Sequence, residues 1–232
     1  MNTSMKRKTI IISDLHVGTP DAQPQKLLKF LGKNPCDTLI LNGDIIDNRY
    51  IKYFGKRQTE YETVFKNIRA ICDKNKAQIV YLRGNHETIG NHASWENIQQ
   101  EIIITSHKKK YLICHGDNFE KELRKPNAFT ISLFFIDTFF GRVDRSLGTK
   151  YAISHILKDT YAFFTNQKTR FIHNAVAYAK KKKVDGIICG HIHDPTNKMI
   201  KGIYYLNSGN RTETCSALTE DSKGNRKILY TK

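Results

Sequence analysis

Apolar positions in this chain fall into short solid runs and longer spaced patterns, and the two kinds alternate. Residues 9–13, 38–42, 78–82, 111–114 and 186–189 are β-branched or apolar stretches, each ending where a Gly, Asn, Asp or His begins. Runs of that length without polar alternation predict strands covered on both faces. Between them, residues 25–31 and 60–73 space their apolar side chains by three or four, Val64, Ile68 and Ile71 among them, which predicts amphipathic helices. Strand alternating with helix predicts an α/β fold. Beyond Asn207 the rhythm changes to two short strands, 215–219 and 227–230, around turn residues 221–225, so a second sheet region closes the chain.

Residues 127–183 interrupt the alternation. They carry no strand-like run; Phe129, Leu133, Ile136 and Phe140 lie on one helical stripe, which Phe134, Phe135 and Phe139 widen. This stretch reads as a helical insertion, or cap, within a single domain spanning residues 1–232, a length ample for one core. The basic runs 108–110 and 180–183 read as solvated turns or helix ends.

Composition narrows the class. With 39% hydrophobic and 10% aromatic residues the chain is neither disordered nor collagen-like. Lys and Arg total 38 against 22 Asp and Glu, and the net charge of +16 predicts anionic partners. Five cysteines, widely spaced and without a C-x-x-C pair, predict reduced core thiols and a reducing compartment. The apolar run after the charged N-terminus covers only residues 10–12, short of a signal sequence, and no segment approaches the roughly 20 apolar residues of a membrane span. A cytoplasmic location without a transmembrane segment is expected.

Ligands in α/β sheets gather at the C-terminal ends of strands, so polar residues directly after the predicted strands carry the chemistry. They are Asp14 and His16 after the first strand, Gly43, Asp44 and Asp47 after the second, and Gly84, Asn85, His86 and Glu87 after the third. His115, Gly116 and Asp117 follow the fourth, and Gly190, His191 and His193 the fifth. Carboxylate, amide oxygen and imidazole are the mixture that divalent ions bridged by one shared carboxylate require. Asp14, His16, Asp44, Asn85, His115, His191 and His193 make seven such side chains, enough for two sites completed by water, and the lack of a cysteine argues against structural zinc. His86 is the candidate for proton transfer, with Glu87 beside it to fix its tautomer; Asp47, Glu87 and Asp117 are candidates for orienting ligands. His92, His107, His155 and His173 match no pattern and receive no role.

The blocks D-x-H, G-D-x-x-D, G-N-H-E, H-G-D and G-H-x-H stand in order and resemble those of the calcineurin-like metallophosphoesterases. The resemblance implies a four-layer αββα sandwich of two mixed sheets. It implies one metal on Asp14, His16, Asp44 and His193, a second on Asp44, Asn85, His115 and His191, and Asp44 as the bridge. Hydrolysis by a hydroxide between two divalent ions is then expected; mixed imidazole and carboxylate ligation suits manganese first and iron or zinc otherwise.

The C-terminal runs 184–195, 202–207 and 213–218 look similar to the UDP-2,3-diacylglucosamine pyrophosphohydrolase-like branch, whose members carry a helical insertion between the H-G-D and G-H-x-H blocks. That resemblance implies cleavage of a phosphoanhydride in a nucleotide-linked glycolipid of lipid A biosynthesis, at the cytoplasmic membrane face as a peripheral enzyme. Arg142, Arg145 and Lys150 are then candidates for diphosphate or headgroup contacts beside the phenylalanine stripe. Asn210 and Arg211 stand where the branch has an acidic residue and a tryptophan. The alternative is a general phosphatase or nucleotide phosphodiesterase. A nuclease ranks below both, because nothing beyond charge points to nucleic acid.

Overall fold

The computed structural model describes residues 6–54, 58–87, 98–120 and 167–231. In chain order the elements are β1 (Arg7–Ile12), α1 (Pro24–Lys33), β2 (Cys36–Asn42), α2 (Asn48–Phe54), α3 (Gln58–Lys74) and β3 (Gln78–Leu82). There follow β4 (Glu101–Ser106), β5 (Lys109–Cys114), α4 (Gln167–Lys181), β6 (Gly186–Cys189), β7 (Thr196–Ile200), β8 (Ile203–Asn207), β9 (Ser216–Glu220) and β10 (Arg226–Tyr230). The strands form two mixed five-stranded sheets, ordered β10-β9-β1-β2-β3 and β4-β5-β6-β8-β7. The α/β sandwich inferred from sequence is the architecture observed.

The burial pattern of β1 shows why the runs are solidly apolar. Ile10 and Ile12 pack with Leu27, Phe30 and Ile68 of α1 and α3, whereas Ile11, one residue between them, packs with Ile113, Ile188 and Leu206 of the other sheet. Successive strand side chains point to opposite faces, so a strand between a helical layer and a second sheet must be apolar at every position. In β2, Leu39 and Leu41 divide from Ile40 in the same way. Each such aliphatic side chain contributes about 1.5–3 kcal/mol by leaving water.

Parallel pairing of β1 with β2, β2 with β3, β5 with β6 and β6 with β8 sends the C-terminal ends of these strands in one direction within each sheet. β9 and β10 are strands, as the late change of rhythm predicts, but they do not form a second sheet region: β9 pairs antiparallel with β1 and β10 with β9, so they complete the edge of the first sheet. The five cysteines are buried free thiols.

The chain divides into two compact units, residues 1–116 with 175–232, and residues 117–174. In the second, the 3-10 turn Asp117–Phe119 is bound to the start of α4: Asn174 donates to the Phe119 carbonyl at 2.9 Å, and the Phe119 and Phe171 rings meet edge to face at 5.6 Å. Of the expected insertion, residues 167–181 are helical, and 127–166, with Phe129 to Phe140, Arg142, Arg145 and Lys150, lie outside the described residues. No described helix is long and apolar enough to cross a membrane.

Candidate metal centre

The loops leaving β1, β2, β3, β5 and β6 are tied to one another by backbone bonds. Asp14 and His16 donate to the carbonyls of Gly43 and Asp44 at 3.1 and 2.9 Å, Asn48 donates to His86 at 3.1 Å, and Gly190 donates to His115 at 3.0 Å. Within these loops Asp14, His16, Asp44, His191 and His193 all adopt positive φ, between 48° and 69°. A non-glycine residue in that region costs on the order of 1 kcal/mol, and such strain concentrates where a side chain must be aimed against the run of the backbone. Five of the seven proposed ligands share it.

The side chains converge. Asp14, His16 and His193 form one group and Asp44, His115 and His191 a second, the ligand atoms in each lying within 4.8 Å of one another; His16, Asp44 and His86 form a third that overlaps both. His193 Nε2 is 3.3 Å from Asp14 Oδ1, and His115 Nε2 is 3.1 Å from Asp44 Oδ2 and 4.0 Å from Asp14 Oδ1.

Each carboxylate is held by one oxygen. Asp14 Oδ2 accepts from the His191 backbone at 3.0 Å and Asp44 Oδ1 from the His86 backbone at 2.8 Å, so Asp14 Oδ1 and Asp44 Oδ2 are the atoms turned toward the imidazoles. Asp14 Oδ1 and Asn85 Oδ1 are buried with no hydrogen bond among the described residues, a condition that costs about 1–3 kcal/mol per group unless a cation or donor meets it. The donor set therefore fits divalent cations.

The imidazoles are oriented from behind. His115 Nδ1 lies 2.9 Å from the Asn42 carbonyl, which can only accept, so Nδ1 carries a proton and Nε2, on the Asp44 side, is the nitrogen left for a cation. Asp47 Oδ2 bonds His16 Nδ1 at 3.0 Å and lies 2.8 Å from His86 Nδ1, while its Oδ1 accepts from the Tyr50 backbone at 2.7 Å. One carboxylate thus positions both a candidate ligand and the candidate proton donor, with His86 Nε2 3.9 Å from Asp44 Oδ2.

Electrostatics follows this arrangement. Burial alone would raise Asp14, but His193 and His115 hold it down at about 2. Asp44, buried as deeply, is held well below the usual carboxylate range chiefly by His115 and His86. Burial would lower His16, yet the Asp47 bond and the Asp44 charge lift it to about 9. The centre is a buried cluster of anionic carboxylates, beside which His16 and His115 are held above the usual imidazole range; divalent ions bound there would compete with those protons.

Glu87 departs from the sequence expectation. Its Oε1 accepts from the Ile45 backbone at 2.8 Å, the Ile46 backbone at 3.3 Å and the Tyr81 hydroxyl, and its Oε2 accepts from the Gly84 backbone at 2.8 Å. It braces the loop carrying Asp44 against the loop carrying Asn85; the residue beside His86 Nδ1 is Asp47. Burial, then the nearby Asp44 charge, raise its carboxyl above the usual range. Asp117 opens the 3-10 turn in the second unit.

Sequence reading places the glycines in the motif blocks without a steric role, yet three of them are the spaces into which ligands fit. A Cβ on Gly43 would lie 2.5 Å from the His115 ring, one on Gly84 2.1 Å from Asp44 Oδ1, and one on Gly190 2.7 Å from Asp14 Oδ2. Arg211, which the sequence likewise leaves without a role, is fully buried, its backbone donating to the Asp14 carbonyl at 3.0 Å and its Nη1 to the Cys215 carbonyl at 2.7 Å.

Residues 7–195 match the family model described as calcineurin-like phosphoesterase. Among solved structures, Yfce, a phosphoesterase from E. coli, is similar at 12% identity and a TM-score of 0.52, over 97% of this chain and 99% of that one. A single mutant of Vps29 from Entamoeba histolytica aligns at 13% identity and a TM-score of 0.49, over 97% and 99% of the two chains. An archaeal phosphodiesterase aligns at 16% identity and a TM-score of 0.47, over 96% and 98%. No curated protein matches the chain.

Proposed function

Because the chain belongs to the calcineurin-like phosphoesterase family, we propose that its strand-tip cluster is the active site of a metal-dependent hydrolase of phosphoric esters or anhydrides, with two divalent ions. The observation that carries the reading is the pair of carboxylates, Asp14 and Asp44, each fixed through one oxygen by a backbone N–H and presenting the other to a ring of imidazoles. Asp14, His16, Asp44 and His193 would hold one ion, and Asp44, Asn85, His115 and His191 the other. Bound there, divalent ions supply charge neutralisation at phosphorus and lower the pKa of a water. Manganese is the ion we would load first, since mixed carboxylate and imidazole ligation accepts it.

The chain's own groups supply the rest. His86, held by Asp47, is placed to give a proton to the leaving oxygen through Nε2. Arg49, exposed beside the centre and donating through Nη2 to the Asn85 carbonyl at 3.3 Å, is placed to bind non-bridging oxygens of a phosphate. Tyr81, Glu87 and Gly84 hold the intervening loop still.

The substrate we carry forward is a UDP-diacylglucosamine-like nucleotide glycolipid. Its support is the likeness of the runs 184–195, 202–207 and 213–218 to that branch and the +16 charge, which suits a diphosphate at an anionic membrane face. Purified protein loaded with manganese should be assayed against UDP-diacylglucosamine, an aryl phosphodiester and single-stranded DNA. Turnover of the glycolipid above the aryl diester supports the substrate. Preference for the aryl diester discards it and keeps the reaction class, and inertness toward all three discards the hydrolase reading.

A further inference from the structure

A cavity of about 300 Å³ opens at the N-terminal ends of β5 and β8, between residues of both sheets. From Lys109 to His115 the chain runs six strand steps, about 20 Å, so this cavity and the metal centre sit at opposite ends of the same strand. Two hairpin turns frame it. His107 and Lys108, at φ 48° and 64°, form the β4–β5 turn, and Gly224, at φ 81° in the β9–β10 turn, lies so close that a Cβ there would meet His107 Cδ2 at 2.3 Å. Ser106 ties the two sheets by donating to Glu220 Oε1 at 2.8 Å.

The lining is cationic and aromatic. Arg226 lies 3.6 Å over the Tyr111 ring and pairs with buried Glu220; Lys109 lies 4.3 Å over the Tyr204 ring and donates to its hydroxyl at 2.8 Å. Among the described residues, one surrounding carboxylate is paired with a cation and the others accept from neutral N–H groups. Glu220 is taken by Arg226 and Ser106, Asp185 accepts from the Lys110 backbone at 2.7 Å, and Asp221 accepts from Lys223 and from Asn225 at 2.8–2.9 Å. Lys109 forms no ion pair among the described residues, Asp185 acting on it only at longer range, and its ammonium borders the cavity. The Tyr204 hydroxyl, accepting from Lys109, keeps its own proton to donate.

We propose that this cavity is a second ligand site, for a phosphorylated small molecule of mononucleotide size or less, its phosphate held by Lys109, the Tyr204 hydroxyl and His107. The volume sits at the lower end of the roughly 300–1,000 Å³ of ligand clefts, which sets the size. An ammonium beside hydroxyl and imidazole groups, with Glu220 paired to Arg226, sets the charge. The site does not depend on the hydrolase reading, since it shares no residue with the metal centre.

The test uses the full chain, stripped of metal by chelation, titrated with AMP, inorganic phosphate and adenosine and followed by nuclear magnetic resonance. AMP and phosphate should shift the His107 and Tyr204 signals, and adenosine should not. Lys109→Met, an exposed change, should weaken AMP about tenfold or more through loss of a charge-assisted hydrogen bond. The same variant should leave hydrolysis at the strand tips unchanged. The proposal is overturned if neither AMP nor phosphate binds, if adenosine binds as well as AMP, if Lys109→Met binds AMP like the parent, or if the shifts map to His191 and His193.

Discussion

Replacing Gly84 by Ala isolates the requirement for space beside the shared carboxylate. Gly84 does not have positive φ, so alanine meets no backbone barrier and the effect is steric. The new Cβ would stand 2.1 Å from Asp44 Oδ1, 2.4 Å from the Asp44 backbone nitrogen and 2.8 Å from Asp44 Cγ. Ordinary contacts lie near 3.5–4 Å, so Asp44 must retreat by about 1 Å. One of the atoms to be moved is backbone, in a loop held by the Glu87 bonds to Ile45 and Ile46, and rotating the side chain cannot relieve all of it.

Overpacking of this kind costs about 1–3 kcal/mol, which for a chain of this size lowers Tm by roughly 2–12 °C. The catalytic loss should be larger in proportion. A displacement of about 1 Å at a reacting centre costs on the order of a hundredfold in rate. Gly32→Ala is the matched control: it lies in α1 with nothing within 4 Å of the new Cβ, and alanine there should raise stability by up to about 1 kcal/mol with activity unchanged. Tm by scanning calorimetry, metal content by mass spectrometry and turnover of an aryl phosphodiester give the three readouts. A Gly84→Ala protein with parental metal content and turnover within about twofold of the parent would refute the claim that Asp44 is held in place by this hole.

Other perturbations separate the roles of neighbouring groups. His86→Ala should lower kcat by about a hundredfold to ten-thousandfold with metal content intact, and undiminished turnover would remove His86 from proton transfer. Asp47→Asn should lower metal affinity or activity about ten- to a hundredfold, since one oxygen orients both His16 and His86; parental values for both would show these imidazoles to be held by other contacts. Glu87→Gln replaces an acceptor of four bonds with a group that cannot accept them all, and should lower Tm by several degrees; an unchanged melt would rule out the brace. His16, raised to about 9, is protonated at neutral pH in metal-free protein, so manganese uptake at pH 7 should release protons and apparent affinity should fall as pH falls. Calorimetry in buffers of different ionisation enthalpy measures that release, and the absence of proton release would contradict the ligand role of His16.

What the sequence made legible followed the local character of the signal. β1, β2, β5 and β6 stood out because each carries a short solid apolar run, and the ligand residues stood out because they follow such runs directly; the interior strand β8 is absent from the sequence expectation. The edge strands of the second sheet, β4 and β7, gave no such signal, whereas β3 and β10, the edges of the first, are in the sequence expectation. Thr196–Ile200 carries Asn197, Lys198 and Met199 exposed and is a strand because β8 pairs with it, a fact held by the partner. The Glu101–Ser106 strand alternates instead, Ile103 outward between partly buried Ile102 and Ile104, a pattern legible only once its pairing with β5 is known.

The same distinction separates Glu87 from Asp47. Adjacency along the chain suggested Glu87 as the partner of His86, but neighbours in a turn send their side chains apart, and Glu87 turns back onto Tyr81 and the β2 loop. Asp47, remote in sequence, reaches His86 because Val17 and Ile46 pair across the loops, the Asp47 backbone donates to Val17 at 3.0 Å and Asn48 donates to His86 at 3.1 Å. The glycines are the extreme case, since what each makes room for belongs to another loop: Gly43 for His115, Gly84 for Asp44, Gly190 for Asp14. A ligand's identity is a property of its own residue and can be read singly. Its position is a property of pairs of loops, and in this chain those pairs meet where one member has no side chain.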